Sequence, residues 1–225
     1  MSATVAIVAG GGGPLGHATA VALAADGLTV VAVDRTEHAL GDLEDMRREV
    51  ADATDPAEAA RLIGRIAGEA GPPDVLVNTI GAFRPEDVLA TTPEMLRLML
   101  DVNLGPALRL TQAVAPHMRQ QGSGAIVHVA ARPGIEPASG MGAYSVSKAA
   151  LVHLTRILDI ELRPHGIRVN AVAPQLLDTP RNRAMFPAEV MAHAVAPEAI
   201  AGVIAFLVSD AAAPVSGAIL PAYGA

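Results

Sequence analysis

The sequence of 225 residues has no cysteine, few aromatic residues and no long apolar run. Without cysteine, a disulfide framework, a thiolate nucleophile and cysteine-ligated zinc are excluded. Three Phe, two Tyr and no Trp are too few rings for a surface that stacks bases or sugars. No apolar stretch approaches the ~18 residues of a membrane-spanning helix. We therefore expect neither a disulfide scaffold nor a membrane-spanning protein.

The sequence also lacks a cluster of basic residues. Lys and Arg are scattered along it, and the net charge is −7. This distribution argues against a nucleic-acid surface and against a polybasic membrane patch. No basic segment precedes the first apolar stretch, so a secretory signal is not expected. The sequence predicts a cytoplasmic protein that binds neither nucleic acid nor membrane.

The length and the 51% hydrophobic content suit one α/β domain over residues 1–225. Short apolar segments alternate with helix-like segments, which predicts one doubly wound parallel sheet with helices on both faces. The seven predicted strands are residues 4–9, 28–33, 49–51, 74–78, 125–130, 167–172 and 218–220. The main predicted helices are residues 17–26, 37–48, 55–70, 92–121, a segment that includes Tyr144, and 197–209. Pro106 should kink the fourth helix, because proline removes an internal hydrogen bond.

A glycine-rich turn lies between the first predicted strand and the first predicted helix. Gly11, Gly13 and Gly16 fit the pattern G-x-G-x-x-G. In such a turn bare backbone can approach a pyrophosphate, which the N-terminus of the helix then faces. A flexible turn is the alternative interpretation, but the position between strand and helix favours a dinucleotide site.

Acidic residues close the second and third predicted strands. Asp34 can accept hydrogen bonds from the adenosine ribose and would repel a 2′-phosphate, which favours NAD over NADP. An ordinary turn residue is the alternative, and Arg35 could pair with a 2′-phosphate. Asp52 could meet the adenine amine, although a loop position explains it equally well.

Tyr144 and Lys148 are four residues apart in a predicted helix, so they share one face of it. A nearby cation favours the phenolate, so such a tyrosine can exchange a proton nearer neutral pH than a free phenol. Alone, this short pattern is compatible with a surface tyrosine and a solvated lysine. The predicted apolar stripe of this helix is Leu151, Leu154, Ile157, Leu158 and Leu162.

Together these features resemble the short-chain dehydrogenase/reductase family over essentially the whole chain. The further motifs that carry the resemblance are Asn78-Thr-Ile-Gly81, Asn103, Val169-Asn-Ala-Val-Ala-Pro174 and Ser216-Gly217. The resemblance implies a single-domain Rossmann fold and hydride transfer between a nicotinamide cofactor and a carbonyl-type carbon. NAD(H) is preferred because of Asp34, while NADP(H) stays open because of Arg35. Family members usually form dimers or tetramers, so a homo-oligomer is also implied.

The resemblance implies roles for particular residues. Tyr144 is expected to be the general acid/base. Lys148 is expected to hold the nicotinamide ribose and, together with the cationic oxidised ring, to lower the Tyr144 pKa, and Asn103 is expected to fix a water behind Lys148. Thr179 is similar to the residue that anchors the carboxamide. The expected cofactor-binding set is Gly10, Gly12, Gly13, Leu15, Gly16, Asp34, Arg35, Asp52, Ala53, Asn78, Gly81, Tyr144, Lys148, Pro174 and Thr179.

Three departures from the family pattern affect the expected site. Pro14 replaces a glycine of the turn, and Ala9 replaces a threonine before it. Gln175 follows Pro174 where the family usually has glycine, which would bring an amide near the nicotinamide. Ala131 aligns with the catalytic serine that hydrogen-bonds the substrate oxygen. Losing one donor to a developing oxyanion costs about 10²–10³ in rate.

Three explanations of Ala131 stay open. An easily reduced quinonoid or iminium substrate would need no serine, and dihydropteridine reductases, a branch of the family, also lack it. Alternatively, a replacement donor comes from Arg132, Ser139, Ser145 or Gln175. In the third explanation the chain binds cofactor with little or no turnover. The expected substrate-site residues are Ala131, Arg132, Ser139 and Gln175.

The main hypothesis is an NAD(P)(H)-dependent oxidoreductase that acts on a small carbonyl, quinonoid or imine-type substrate. The rival hypothesis is a catalytically weak or inactive dinucleotide sensor or scaffold. Residues 175–196 form an irregular segment that we expect to be a substrate lid. The histidines are dispersed without ligand spacing, so no metal site is expected.

Overall fold

A computed structural model describes residues 4–43 and 45–224 of the chain. Within these residues the strands are β1 (Val5–Ala9), β2 (Thr29–Asp34), β3 (Arg47–Val50), β4 (Val75–Asn78), β5 (Gly124–Val129), β6 (Ile167–Pro174) and β7 (Ile219–Ala222). The α-helices are α1 (Pro14–Ala25), α2 (Pro56–Glu69), α3 (Pro93–Asn103), α4 (Gly105–Gln121), α5 (Gly142–Leu162), α6 (Pro180–Met185), α7 (Ala188–Met191) and α8 (Pro197–Val208). Short 3₁₀ helices occupy Glu37–Leu43, Arg132–Gly134, Arg163–His165 and Asp210–Ala212.

All the described strands form one parallel sheet in the order β3-β2-β1-β4-β5-β6-β7. The order reverses between β1 and β4. In open α/β sheets, ligands bind beside such a point, in the crevice outside the carboxyl ends of the strands. The predicted doubly wound parallel sheet is therefore confirmed, and its topology indicates where a ligand binds.

Helices cover both faces of the sheet. On one face, α1 and α8 contribute buried side chains such as Leu23 and Ile204. On the other face, α2, α4 and α5 contribute side chains such as Ile63, Leu110 and Leu158. Every residue of β1 is buried, as expected for a central parallel strand that is covered on both sides.

The predicted helix over residues 37–48 is wrong. The first part is the 3₁₀ helix Glu37–Leu43, and β3 already begins at Arg47. β3 lies at the edge of the described sheet, where Arg47 and Glu49 form an ion pair at 2.8 Å. Because an edge strand leaves much of its surface in solvent, charged residues are common on it. In sequence these residues look like the polar face of a helix.

Pro106 separates two helices rather than kinking one. α3 ends at Asn103 and α4 begins at Gly105, with Leu104 between them at φ −106° and ψ −41°. Because Pro106 lies in the first turn of α4, its missing N–H removes no bond that the helix would otherwise make. The break places the buried side chain of Asn103 at the C-terminal end of α3.

The remaining boundary predictions differ in small ways from the structure. α1 begins at Pro14, three residues before the predicted start, because proline suits the first turn of a helix. Ile157, assigned to the buried stripe of α5, is 40% exposed, whereas Leu151, Leu158 and Leu162 are buried. No helix in the described part of the chain is long and apolar enough to cross a membrane.

Candidate active site

The glycine turn after β1 is folded tightly against β2. The backbone N–H groups of Gly10 and Gly11 both donate to the carbonyl oxygen of Val33, at 2.9 Å. Gly10 has φ +84°, a conformation that favours glycine. A Cβ at Gly16 would overlap the carbonyl oxygen of Gly10, so α1 approaches the turn closely. Gly13 is open by comparison, since a Cβ there would come no nearer than 3.4 Å to its neighbours.

Asp34 lies at the rim of this turn, at the end of β2. Its carboxylate accepts hydrogen bonds from the N–H of Gly12 at 3.1 Å and from the N–H of Arg35 at 2.7 Å. Gly12 also packs against Ala39, where an added Cβ would collide with backbone. The carboxylate is therefore held in a fixed orientation beside the turn.

Asp52 follows β3 and forms part of the same wall. Its carboxylate accepts hydrogen bonds from the hydroxyl and the N–H of Thr54, at 2.6 and 2.9 Å. These hydrogen bonds hold the pKa of Asp52 below its usual value. The N–H of Asp52 donates to Glu58, which lies in the first turn of α2.

A groove of about 600 Å³ runs along the carboxyl ends of the central strands. The expected cofactor residues that line it are Gly10, Gly13, Leu15, Gly16, Asp34, Arg35, Asp52, Ala53, Gly81 and Thr179. Of the expected set, Tyr144, Lys148 and Pro174 line a second cavity instead, and Gly12 and Asn78 line neither. Gly12 instead supports Asp34, and buried Asn78 accepts a hydrogen bond from the N–H of Ile80.

These residues fit a dinucleotide cofactor. The glycine turn has no side chains that would keep a pyrophosphate away, a fixed carboxylate lies at the rim for the ribose, and the groove is elongated. Arg84 and Arg181 also line the groove, and sequence reasoning missed both. Neither belongs to a recognisable motif. Arg84 lies in the loop after β4, which ends at Asn78, so its position beyond a strand end was the one signal in the sequence.

Lys148 is buried, and its ammonium group is held behind the groove. Its Nζ donates to the backbone carbonyl of Val129 at 2.8 Å. Burial lowers the pKa of Lys148 to about 8. Gly81 and Gly134 allow this placement, because a Cβ at Gly81 would lie 3.2 Å from Nζ and one at Gly134 would collide with the Lys148 backbone.

Asn103 joins α3 to the loop after β4 and to α5. Its side chain accepts from the N–H of Ala82 at 2.8 Å and donates to the Ala82 carbonyl at 3.1 Å. It also donates to the hydroxyl of Ser147 at 2.9 Å, and that hydroxyl donates to the Tyr144 carbonyl. The Asn103 amide therefore holds the loop against the helix that carries Tyr144 and Lys148, while the expected water contact stays a prediction.

Tyr144 faces a second cavity, and its ring contacts Phe83 edge to face, with centroids 4.9 Å apart. Burial raises the pKa of the Tyr144 phenol to about 12. In the polypeptide itself burial is the cause of this shift, while the lowering expected from Lys148 together with the oxidised nicotinamide stays a prediction. Burial disfavours the phenolate, and the Lys148 ammonium is directed to the carbonyl of Val129.

The second cavity has a volume of about 350 Å³ and a mainly apolar lining. Ala131 lines it and is buried. Gln175 lines it as well, and three of the five aromatic residues of the chain, Phe83, Tyr144 and Phe186, surround it. Phe83 and Phe186 were missed from sequence, because they lie far apart in the chain and in no motif.

Arg132 and Ser139, both expected at the substrate, do not line this cavity. Arg132 instead binds Glu136 and Gln175, and its guanidinium lies 4.7 Å from the ring centroid of Tyr223. Ser139 is exposed and lines a separate surface depression. Both follow β5 in a loop whose direction cannot be read from its sequence.

His128 lies in β5 and is completely buried. Neither of its ring nitrogens has a hydrogen-bond partner among the described residues. Burial, and secondarily the charge of Lys148, lower its pKa to about 4. The imidazole is therefore neutral behind the site.

The sheet, the groove at its switch point and the buried Tyr144 and Lys148 define a dinucleotide-binding oxidoreductase of the Rossmann type. A family model described as enoyl-(acyl carrier protein) reductase matches residues 12–224. The cis-4-hydroxycyclohexanecarboxylate dehydrogenase of Sinomonas cyclohexanicum is 36% identical over 241 residues, covering 98% of this chain and 95% of that protein.

Solved structures agree with this family. A short-chain type dehydrogenase/reductase from Mycobacterium ulcerans matches with a TM-score of 0.90 and 26% identity, covering 98% of this chain and 89% of that one. A 7α-hydroxysteroid dehydrogenase complexed with NADH and 7-oxo glycochenodeoxycholic acid matches with a TM-score of 0.91 and 28% identity, covering 98% and 93%. The chain belongs to the short-chain dehydrogenase/reductase family and is an oxidoreductase that uses a nicotinamide dinucleotide.

Proposed function

We propose that this oxidoreductase transfers a hydride between the nicotinamide and a small uncharged carbonyl compound, with Tyr144 as the general acid/base. The observation that carries the proposal is that the groove and the Tyr144 cavity adjoin. Thr79, Gly81 and Val129 line both of them. A nicotinamide at that end of the groove would face a substrate held beside the phenol.

The lining of the cavity supports an uncharged, ring-shaped substrate. Among its described lining residues, Lys148 is the charged one, and its ammonium already binds a backbone carbonyl. Beyond Lys148, a substrate carboxylate or phosphate would find no cationic partner among these residues. The aromatic side chains favour a flat or cyclic body. The name of the Sinomonas relative refers to a hydroxylated six-membered ring, which is consistent with an alcohol and ketone pair.

The proton chemistry follows from the state of Tyr144. With its pKa raised to about 12, the phenol stays protonated at neutral pH and can donate its proton to a substrate oxygen. Reduction of a carbonyl starts from this protonated form, whereas oxidation of an alcohol needs the phenolate. Asn103 holds the loop after β4 against the helix that carries Tyr144, and a bound nicotinamide would supply or accept the hydride.

For the cofactor, we propose a preference for NAD(H). The support is the Asp34 carboxylate, which two backbone N–H groups hold at the rim of the groove. A fixed anion there suits ribose hydroxyls and repels a 2′-phosphate. Arg35 also lines the groove, and its guanidinium is the feature that would admit NADP(H).

We further propose that residues 175–196 act as a lid, because Gln175, Leu176 and Phe186 contribute to the cavity wall. The segment contains the two short helices α6 and α7. A homo-oligomer stays a prediction. Exposed apolar residues on α4 and α5, such as Leu108 and Val146, are compatible with it.

The deciding experiment compares wild-type protein with Tyr144→Phe. NADH oxidation is followed with uncharged cyclic ketones, quinones and imines, and NADH affinity is measured by fluorescence titration. We expect turnover with at least one ketone, a loss of about 10²–10⁴-fold in Tyr144→Phe, and unchanged NADH affinity. Equal activity in the variant would contradict the role of Tyr144. NADH binding without any turnover would favour the sensor hypothesis, to which Ala131 lends support.

A further inference from the structure

We propose that the amide of Gln175 replaces the missing serine, donating a hydrogen bond to the substrate oxygen, and that Arg132 positions this amide. The inference rests on the function proposed above. It answers how a site with Ala131 at the serine position can stabilise charge on a carbonyl oxygen.

The polar groups that line the cavity leave few available donors. Lys148 Nζ donates to a backbone carbonyl at 2.8 Å and keeps two hydrogens, which we expect to hold the nicotinamide ribose. Thr79 Oγ1 donates its single hydrogen to another carbonyl at 2.9 Å. Asn182 Nδ2 donates to a third carbonyl at 2.8 Å and keeps one hydrogen. Gln175 Nε2 makes no hydrogen bond within the described residues, so both of its hydrogens are available. After Tyr144 itself, Gln175 is therefore the uncharged donor of this cavity with the most available hydrogens.

The other candidate donors do not reach the cavity. Ser139 lines a separate depression, and Arg132 is directed to Glu136. Ser145 follows Tyr144 directly, but its hydroxyl is buried and does not line the cavity. Of the four replacement donors considered from sequence, Gln175 is the one that lines the cavity together with Ala131 and Tyr144.

Arg132 determines which end of the amide is free. Its Nη1 donates to Oε1 of Gln175 at 2.8 Å. A guanidinium has donors and no acceptor, so it can bind the oxygen of the amide but not the nitrogen. The amide is thus oriented with its oxygen toward Arg132, which leaves the NH₂ branch without a protein partner in the described part of the chain.

Arg132 is itself held on two further sides. Its Nε donates to Glu136 at 2.8 Å, and Tyr223 stacks beneath the guanidinium carbon at 4.7 Å. A cation over an aromatic ring is an attractive arrangement. The resulting chain from Glu136 through Arg132 to Gln175 preorganises the donor, which is the property that makes an oxyanion donor effective.

The chemical step assigns separate roles to the two donors. A reduced nicotinamide would supply the hydride, losing one of its own C–H bonds and becoming oxidised. A C–H bond then forms at the carbonyl carbon, and the π electron pair of C=O moves onto oxygen. Tyr144 transfers its proton to that oxygen, so an O–H bond forms and the phenol O–H bond breaks. Gln175 gains and loses no proton. Its N–H only stabilises the negative charge that develops on the oxygen.

The test measures kcat and NADH affinity in Gln175→Ala and in the isosteric Gln175→Glu, with Ser139→Ala as the control. We expect kcat to fall about 10²–10³-fold in both Gln175 variants, with NADH affinity within about threefold of wild type. Ser139→Ala should keep the wild-type kcat. A kcat within threefold of wild type in Gln175→Ala would overturn the proposal.

The positioning role of Arg132 is tested in a double-mutant cycle. Arg132→Ala should lower kcat about tenfold or more in the wild-type background and have almost no effect in Gln175→Ala, because the two residues act as a unit. A residue with a merely structural role would lower kcat in both backgrounds. Ala131→Ser should restore part of the activity of Gln175→Ala, since it returns a hydroxyl to the serine position.

An NMR experiment that needs no turnover tests the role of Gln175 separately from the proposed function. Oxidised NAD and cyclohexanone form a mixture in which no hydride can transfer. In ¹⁵N-labelled protein, the side-chain NH₂ signals of Gln175, assigned by their loss in Gln175→Ala, should shift when cyclohexanone is added. Absence of a shift at saturating ketone would refute the role of Gln175. Active Gln175 variants beside an inactive Tyr144→Phe would refute it as well, while the proposed function would stand.

Discussion

Acidification should destabilise this protein through His128, a buried imidazole in the middle of β5. The side chain is 0% exposed, and its pKa is lowered from 6.5 to about 4 by burial and by the charge of Lys148. In the unfolded chain the same imidazole takes up a proton near its ordinary pKa. Between these two values the unfolded state binds more protons than the folded state, so stability falls as the pH falls.

The size of the effect follows from the pKa difference. From the unfolded-state pKa of 6.5 down to about pH 5 is roughly 1.5 pH units, and each unit lowers the free energy of unfolding by ~1.4 kcal/mol. The free energy of unfolding at pH 5 is therefore about 2 kcal/mol smaller than at neutral pH. For a chain of this length that corresponds to about 4–8 °C in Tm. Above pH 6.5 the contribution of His128 to this loss disappears, because both states hold a neutral imidazole.

The assay is urea unfolding of wild type, His128→Leu and His153→Asn at pH 7 and pH 5, at low protein concentration because acidification reduces the net charge of −7. His153 is exposed on α5 and serves as the control. His128→Leu should lose about 2 kcal/mol less than wild type between the two pH values. A constant packing cost of leucine cancels in this difference. Equal losses in wild type and His128→Leu would refute the reasoning.

Two further predictions concern the cofactor groove. Gly16→Ala should weaken NADH binding at least about tenfold, since its Cβ would overlap the Gly10 carbonyl oxygen. Gly64→Ala is the control, because nothing lies within 4 Å of a Cβ there, and an unchanged titration in Gly16→Ala would count against the cradle. Asp34→Ser should lower the ratio of NADH to NADPH affinity about tenfold or more, because it removes the carboxylate that repels a 2′-phosphate. Asp26→Ser, an exposed position at the end of α1, should leave that ratio unchanged, whereas an unaltered ratio in Asp34→Ser would contradict the preference for NAD(H).

Local patterns predicted much of the architecture. β1 reads as a continuous apolar run because helices cover it on both faces, and Asp55 caps α2 by accepting from the N–H groups of Ala57 and Glu58. Edge strand β3 was misread, because one exposed side leaves charged residues in its sequence. Pro106 was placed correctly in a helical region, but whether proline kinks a helix or starts a new one depends on how the flanking segments pack.

The site was predictable as a set of residues but not as an electrostatic arrangement. Tyr144 and Lys148 stand at helical spacing, so sequence places them on one face. Their pKa values depend on burial, which raises that of Tyr144 and lowers that of Lys148 in the polypeptide itself. The hydrogen bond from Lys148 to the Val129 carbonyl joins α5 to β5. Residue spacing within one helix cannot predict such a contact between two elements.

The sequence by itself determined the alternation of strands and helices, the glycine turn, the acidic strand ends and the Tyr144 helix, because each depends on residues that are neighbours in the chain. Only the tertiary structure decided which donor stands near Ala131. Arg132, Gln175 and Tyr223 come from the loop after β5, the end of β6 and the segment after β7, and the parallel sheet brings these three ends to one edge. Contacts of that kind arise from packing between distant segments, so a linear pattern carries no signal for them.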